Sequence, residues 1–155
     1  MSIKSSVCAL RPATSSDYDV IADIWHRSAS LPGVGPPVMP SVDELRRRVD
    51  QEIAAGWKVT VAELNDAIVG FAAIKLKEAI LDQIFVLPGQ IGSGLGRALF
   101  DSCLDQMPEG FTLHTASSNE KARRFYEKAG MQVLQQDTHP RTGHPVTYYI
   151  WRSRP

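Results

Sequence analysis

The chain has 155 residues, 43% of them hydrophobic and 22% charged, and its seventeen Lys plus Arg balance seventeen Asp plus Glu. At this length one core buries roughly 68–70% of the surface that the unfolded chain exposes, so a single domain over residues 1–155 is expected and a disordered or fibrous chain is excluded. Zero net charge leaves no global field to gather nucleic acid or an anionic membrane, so neither is an expected partner. Two cysteines, Cys8 and Cys103, cannot by themselves make a disulfide framework or a zinc site. No apolar run is long enough for a signal peptide or a membrane span, and together these features indicate a cytoplasmic protein.

Residues 7–10 read as a short strand, Val7 to Leu10, stopped by Arg11-Pro12. Thr14 followed three residues later by Asp17 has the form of a helix N-cap, and Val20, Ile21, Ile24 and Trp25 recur at helical spacing as one buried stripe through about Ala29. Four prolines and two glycines in residues 31–40 exclude regular structure and make a stiff loop. Ser41 with Glu44 opens a second helix, carried by Val42, Leu45, Val49 and Ile53 and ended near Gly56; its Arg46-Arg47-Arg48 run is expected to be a solvated face. Residues 57–64 and 68–76 are β-rich and joined by the hairpin signal Asn65-Asp66, and residues 79–86 add a third strand before Pro88-Gly89. Leu95, Ala98, Leu99, Cys103, Leu104 and Met107 mark a third helix, followed by a strand at residues 111–115. Ser117 with Glu120 is expected to cap a fourth helix carrying Ala122, Phe125, Tyr126 and Ala129 up to Gly130, before strands at residues 131–136 and 146–151. This order is that of an α+β layered domain around one central sheet.

Between the third strand and the third helix, Gly92, Gly94 and Gly96 alternate with Ser93 and Leu95. Three missing side chains at a helix N-terminus let free backbone amides approach an anion, and Arg97 adds a cation; a tight turn that uses glycine only for its geometry is the other reading of the loop alone. A Walker loop would need Lys after Gly94, where Leu95 stands. A dinucleotide fingerprint would need a small third residue, but the places counted from Gly92 and Gly94 hold Arg97 and Leu99.

The glycine loop resembles the Gly-x-Gly-x-Gly loop that the GCN5-related N-acetyltransferase (GNAT) family places after its fourth strand. Asn119, Ala122, Phe125, Tyr126 and Gly130 match the family's Asn-x-x-Ala-x-x-Phe-Tyr-x-x-x-Gly pattern, with Met131 where Phe is usual. The two motifs span residues 81–131, about a third of the chain, and the element order extends the likeness. Ile91 departs from the usual Gln or Arg before the glycines, next to Gln90. The resemblance implies a GNAT-like fold, a mostly antiparallel twisted sheet of about seven strands flanked by about four helices. It also implies acetyl-CoA as co-substrate and no metal. In its terms Ile84, Phe85 and Val86 line the pantetheine through their backbone, Gly92, Ser93, Gly94, Leu95, Gly96 and Arg97 hold the pyrophosphate, and Asn119 contacts the pantetheine arm. The implied activity is direct acetyl transfer to a primary amine of a small molecule or peptide, by a monomer or homodimer, with acceptor contacts from residues 31–40 and 137–145. A non-catalytic acyl-CoA binding or sensing module is the competing class.

An alkyl ammonium with a pKa of about 10.4 must lose a proton before it attacks a thioester, a deficit of about 4.6 kcal/mol at neutral pH that calls for a base or a water path. His114, on a central strand close before Asn119, is the candidate base; a structural histidine bonded to a carbonyl is the alternative, and in branches of the family similar to ribosomal-protein acetyltransferases a Glu serves there. A main-chain amide near Phe85 or Val86 is the candidate donor to the charged carbonyl oxygen. Tyr126 is the residue to which the resemblance gives protonation of the leaving thiolate, although an aromatic there also serves packing. Asp82 reads as a structural or solvated carboxylate, Cys103 as an inert core thiol, and His139 with His144 as turn residues rather than metal ligands. With Trp25, His26 and Trp57, the two hairpin histidines are candidate contacts for a small polar amine.

Overall fold

The computed structural model of the chain describes residues 8–153. Its strands are β1 (Cys8–Pro12), β2 (Trp57–Leu64), β3 (Ala67–Lys75), β4 (Ile80–Val86), β5 (Gly110–Ala116), β6 (Gln132–Thr138) and β7 (Pro145–Arg152); its helices are α1 (Tyr18–Ala29), α2 (Val42–Ala54), α3 (Leu95–Gln106) and α4 (Glu120–Lys128). The strands make one sheet in the order β1-β2-β3-β4-β5-β7-β6. Every neighbouring pair is antiparallel except β4 and β5, which are parallel. This is the expected α+β architecture, with β7 inserted between β5 and its chain neighbour β6. Val7, the first residue of the strand read from the sequence, lies outside the described residues. Pro12 is tolerated within β1 because an edge strand has one row of amides with no ladder to serve.

Local chemistry explains most of the boundaries. Thr14 and Asp17 cap each other around a single 3-10 turn that leads into α1. The Asp17 carboxylate accepts Thr14 N–H at 2.7 Å and two bonds from the Arg11 guanidinium at 2.8 and 3.0 Å, tying β1 to the helix start. Within α1, Ile21, Ile24 and Trp25 are buried, but Val20 is 39% exposed and falls outside the stripe assigned to it. One step of 100° per residue carries it past the edge of the packed face. Ser41 and Glu44 form the expected capping box of α2. Asn65 and Asp66 have φ of 52° and 70°, the left-handed pair that a two-residue turn matched to strand twist requires. The cap of α4 is Asn119 rather than Ser117: Asn119 Oδ1 accepts Ala122 N–H at 3.2 Å, while the Ser117 hydroxyl is shared with Thr147 of β7 at 2.7 Å.

Helices cover both sheet faces. Alternate residues of β3 divide between two cores, Phe71 and Ala73 facing α1 and α2, Ala72 and Ile74 facing α3 and α4. A strand covered on both sides reads as a continuous apolar run, which is why residues 68–74 show no polar alternation. Among the described residues no helix is long and apolar enough to cross a membrane.

Candidate active site

Strands β4 and β5 pair only at Ile80 and Thr112, where Thr112 N–H donates to Ala79 O at 3.0 Å, and then part. A bulge helps to open the fork. The register between β3 and β4 steps from Ala73–Gln83 to Ile74–Leu81, leaving Asp82 as the extra residue, and an extra residue bends its strand. Two cavities fill the cleft, one of about 740 Å³ and one of about 350 Å³, and they share Val34, Ile84, Phe85 and Tyr126 as walls.

The larger cavity opens onto the N-terminus of α3 and is lined by Gly92, Gly94, Gly96, Arg97 and Asn119 together with Ile84, Phe85 and Val86. Of the expected cofactor residues, Ser93 and Leu95 do not line it. The Leu95 side chain is buried in the core, and its amide reaches Ser93 Oγ at 3.4 Å. The first helical bond runs from Ala98 N–H to Gly94 O at 3.1 Å, and among the described residues the amides of Gly94, Gly96 and Arg97 have no acceptor. Gly94 stands at φ 91° with open space around it, so its backbone demands glycine. Gly96 is different. Its φ is not left-handed, and a Cβ there would meet Val86 and Phe125 at an ordinary 3.6–4.0 Å. Neither strain nor packing requires glycine at that place, which leaves clearance on the cavity wall as its use. Unpartnered amides at the positive end of a helix fit a diphosphate such as that of coenzyme A.

Where the cavities meet, Tyr126 is 7% exposed, its ring set among Phe100, Phe125 and Tyr149. Burial above all, with Cys103 and Tyr149 nearby, raises its pKa well above the ordinary 10, so its phenol stays protonated at working pH. Asn119 spends its carbonyl oxygen on the cap of α4, and its amide nitrogen has no partner among the described residues. Along β4, Leu87 N–H donates to Val69 O at 2.8 Å. Antiparallel alternation therefore gives Phe85 N–H to β3 as well and turns the amides of Ile84 and Val86 across the fork. Of the two amides suggested for the carbonyl oxygen, Val86 faces the cleft and Phe85 does not. Burial pushes the Cys103 thiol up to about 12, and the side chain is 1% exposed, so it offers no thiolate nucleophile.

The smaller cavity is built by β4, β5, the β6–β7 hairpin and the α1–α2 loop. Ser118 Oγ ties that loop down by donating to Gly33 O at 2.9 Å. His114 lines the cavity from β5, its ring 5.2 Å from Tyr148 and 6.2 Å from His139. Solvent reaches the ring, but the cavity walls desolvate enough of it to lower its pKa from 6.5; Asp82 opposes that shift and His144 adds to it. His139 and His144 stack 5.2 Å apart. Asp82 accepts Trp57 Nε1–H at 2.8 Å and is therefore structural. Trp25 lines the chamber; His26 and Trp57 do not. The arginine run is not a uniform solvated face: Arg46 pairs with Asp19 and Asp50, whereas Arg48 is half-buried 4.9 Å over the Trp25 ring and lines the smaller cavity. Sequence reasoning also passed over Lys121 and Arg124, which line the larger cavity from α4. Their places two and five residues after Asn119, within the first turn and a half of α4, were the available signal. Among the described residues no group of three or more His, Cys, Asp or Glu is arranged to hold a metal ion.

The profile of the acetyltransferase (GNAT) family matches residues 22–131. The chain belongs to the GNAT family. It is 30% identical over 129 residues to the peptidyl-lysine N-acetyltransferase YjaB of Escherichia coli K12, covering 82% of this chain and 84% of that one. Its fold is similar to the ribosomal-protein-S18-alanine N-acetyltransferase of Escherichia coli, with a TM-score of 0.77, 19% identity and 96% of each chain covered. It is similar too to YncA of Salmonella typhimurium, solved with its cofactor acetyl-CoA, with a TM-score of 0.73, 19% identity and 97% and 96% of the two chains covered. The protein is an acetyl-CoA-dependent N-acetyltransferase of this family.

Proposed function

We propose that this protein, acting as one domain in the cytoplasm, transfers acetyl directly from acetyl-CoA to a primary amine of a small molecule or peptide held in the smaller cavity. One observation carries the reading: the cavity at the glycine-rich start of α3 and a histidine-lined chamber meet at a single protonated phenol, Tyr126. The thioester supplies an activated acyl carbon. The amides at the start of α3 hold the diphosphate, and the free amide of Asn119 holds the pantetheine arm. His114, neutral at physiological pH because its pKa is lowered, accepts the proton of the incoming ammonium. Val86 N–H stabilises the charge that grows on the carbonyl oxygen. The C–N bond forms and the C–S bond breaks as the tetrahedral centre collapses; Tyr126 donates a hydrogen bond to the departing sulfur, and the second proton shed by the acylated nitrogen goes to that sulfur to give coenzyme A thiol. Its raised pKa makes complete proton transfer to a thiolate uphill, so the phenol acts through that bond as charge develops. No covalent enzyme intermediate is required, in keeping with the buried, protonated Cys103. The likeness to a peptidyl-lysine acetyltransferase supports a lysine side chain among the acceptors.

The test is release of coenzyme A thiol with amine and peptide acceptors, for the wild type and Tyr126→Phe. Phenylalanine keeps the ring packing, so kcat should fall about a hundredfold while coenzyme A affinity stays within twofold. Coenzyme A binding without acceptor-dependent release, or a kcat indifferent to the substitution, would overturn the reading and indicate a binding module.

A further inference from the structure

Apart from Tyr126, the ionisable groups lining the smaller cavity are Arg48, Arg141, His114, His139, His144 and Asp82. The single carboxylate is already engaged, holding Trp57 Nε1–H at 2.8 Å and lying 4.0 Å from Lys75 Nζ. The two guanidiniums are not. Arg11, Arg27, Arg46, Arg97 and Arg124 each pair with a carboxylate. Among the described residues Arg47, Arg48, Arg123, Arg141 and Arg152 pair with none, and of these Arg48 and Arg141 line the smaller cavity. Arg48 is nevertheless held in place, its guanidinium 4.9 Å over the Trp25 ring. Arg141 sits in the hairpin turn, where its main-chain N–H and that of Thr142 donate to His139 Nδ1 at 3.1 and 3.4 Å. That arrangement keeps His139 in the tautomer whose other nitrogen is a donor. The chamber thus offers positive charge and hydrogen-bond donors, with no carboxylate free for a second ammonium.

Resting on the reading of this cavity as the acceptor site, we propose that the acceptor carries an anionic group, a carboxylate or its equivalent, a few atoms from the reacting amine, and that Arg48 and Arg141 select it. A diamine or polyamine would place its second cation against two guanidiniums, whereas an amino carboxylate would satisfy them. The same positive field favours the neutral form of the amine, which is the form that reacts. The anion has two sources with this chemistry: the acceptor's own carboxylate in a free amino acid, or acidic residues beside a lysine in a peptide.

The experiment compares kcat/KM for an ω-amino carboxylate, the alkylamine of the same length and the diamine of the same length. A second arm compares lysine peptides flanked by Asp and Glu with peptides flanked by Arg. Calorimetry of each acceptor on the coenzyme A complex gives the ranking without turnover. The anionic member should lead by at least tenfold in one arm or both, and the arm that responds identifies the source. Arg48→Met and Arg141→Gln should each shrink the ratio to below about threefold, chiefly through KM, with coenzyme A affinity showing that the variants are folded. Preference for the diamine and the Arg-flanked peptide, or ratios unmoved in both variants, would overturn the proposal. Binding of the anionic acceptor without acetylation would overturn the catalytic reading and leave the selectivity standing; absence of both would overturn the two together.

Discussion

Replacing Gly96 with alanine separates folding from binding, because the two effects have opposite signs. The added methyl meets Val86 and Phe125 at 3.6–4.0 Å and does not have to adopt a left-handed backbone. Alanine also loses less backbone freedom than glycine on entering a helix, so the unliganded protein should gain about 0.5 kcal/mol, or about 1–2 °C in Tm for a chain of this size. The same methyl stands on the wall of the larger cavity, at the turn whose amides lack acceptors. Displacing an anion from one or two such amides costs about 1.5–3 kcal/mol, which is about a 10- to 100-fold weaker Kd for coenzyme A. Thermal unfolding without ligand and isothermal calorimetry with coenzyme A measure the two halves. Gly94→Ala is the contrast: at φ 91° alanine is strained by about 1–2 kcal/mol, so stability and affinity should fall together. A Gly96→Ala protein that is stable and binds coenzyme A within twofold of the wild type would refute the assignment of this wall to the diphosphate.

Two further outcomes follow from titrating groups. If His114 is the base, kcat at saturating acceptor should fall at acid pH in a limb lying below histidine's ordinary 6.5, since burial lowers its pKa and protonation removes the acceptor lone pair; His114→Gln should abolish that limb and lower the neutral rate at least tenfold, and a limb that persists in the variant would point to a different base. Asp17 is held at about 2, below its unfolded 3.8, first by its bond to Arg11. A depressed carboxylate adds stability above the unfolded value that disappears as pH falls through the folded one. Arg11 is 35% exposed, so screening leaves about 1–2 kcal/mol, and Asp17→Asn should lower Tm at neutral pH by about 3–6 °C, with the difference in urea stability shrinking below about pH 4.

Features decided within a few residues were legible in the chain. The Ser41–Glu44 box and the Asn65-Asp66 turn each carry their geometry in adjacent side chains, and the structure places both as expected; the alternating glycines fall at the start of α3, where the sequence pattern begins that helix. What escaped was decided across the sheet. Ser117 has the composition of a cap, but its hydroxyl is taken by Thr147 thirty residues away, and Asn119 caps instead. Leu95 alternates with the glycines, yet one residue into the helix its side chain turns into the core. The bulge at Asp82 has no local marker, because it is a mismatch between two strands. Arg48 reads as one of three solvated arginines until α2 is packed on α1 and the Trp25 ring is set beneath its guanidinium.

The most direct measurement is the change in backbone amide resonances as coenzyme A is titrated into the 15N-labelled protein. The largest displacements should fall on Gly94, Gly96 and Arg97, with a second group at Ile84, Val86 and the Asn119 side-chain amide. Saturable binding that leaves the amides at the start of α3 unmoved, or no binding at all, would contradict the placement of the diphosphate there.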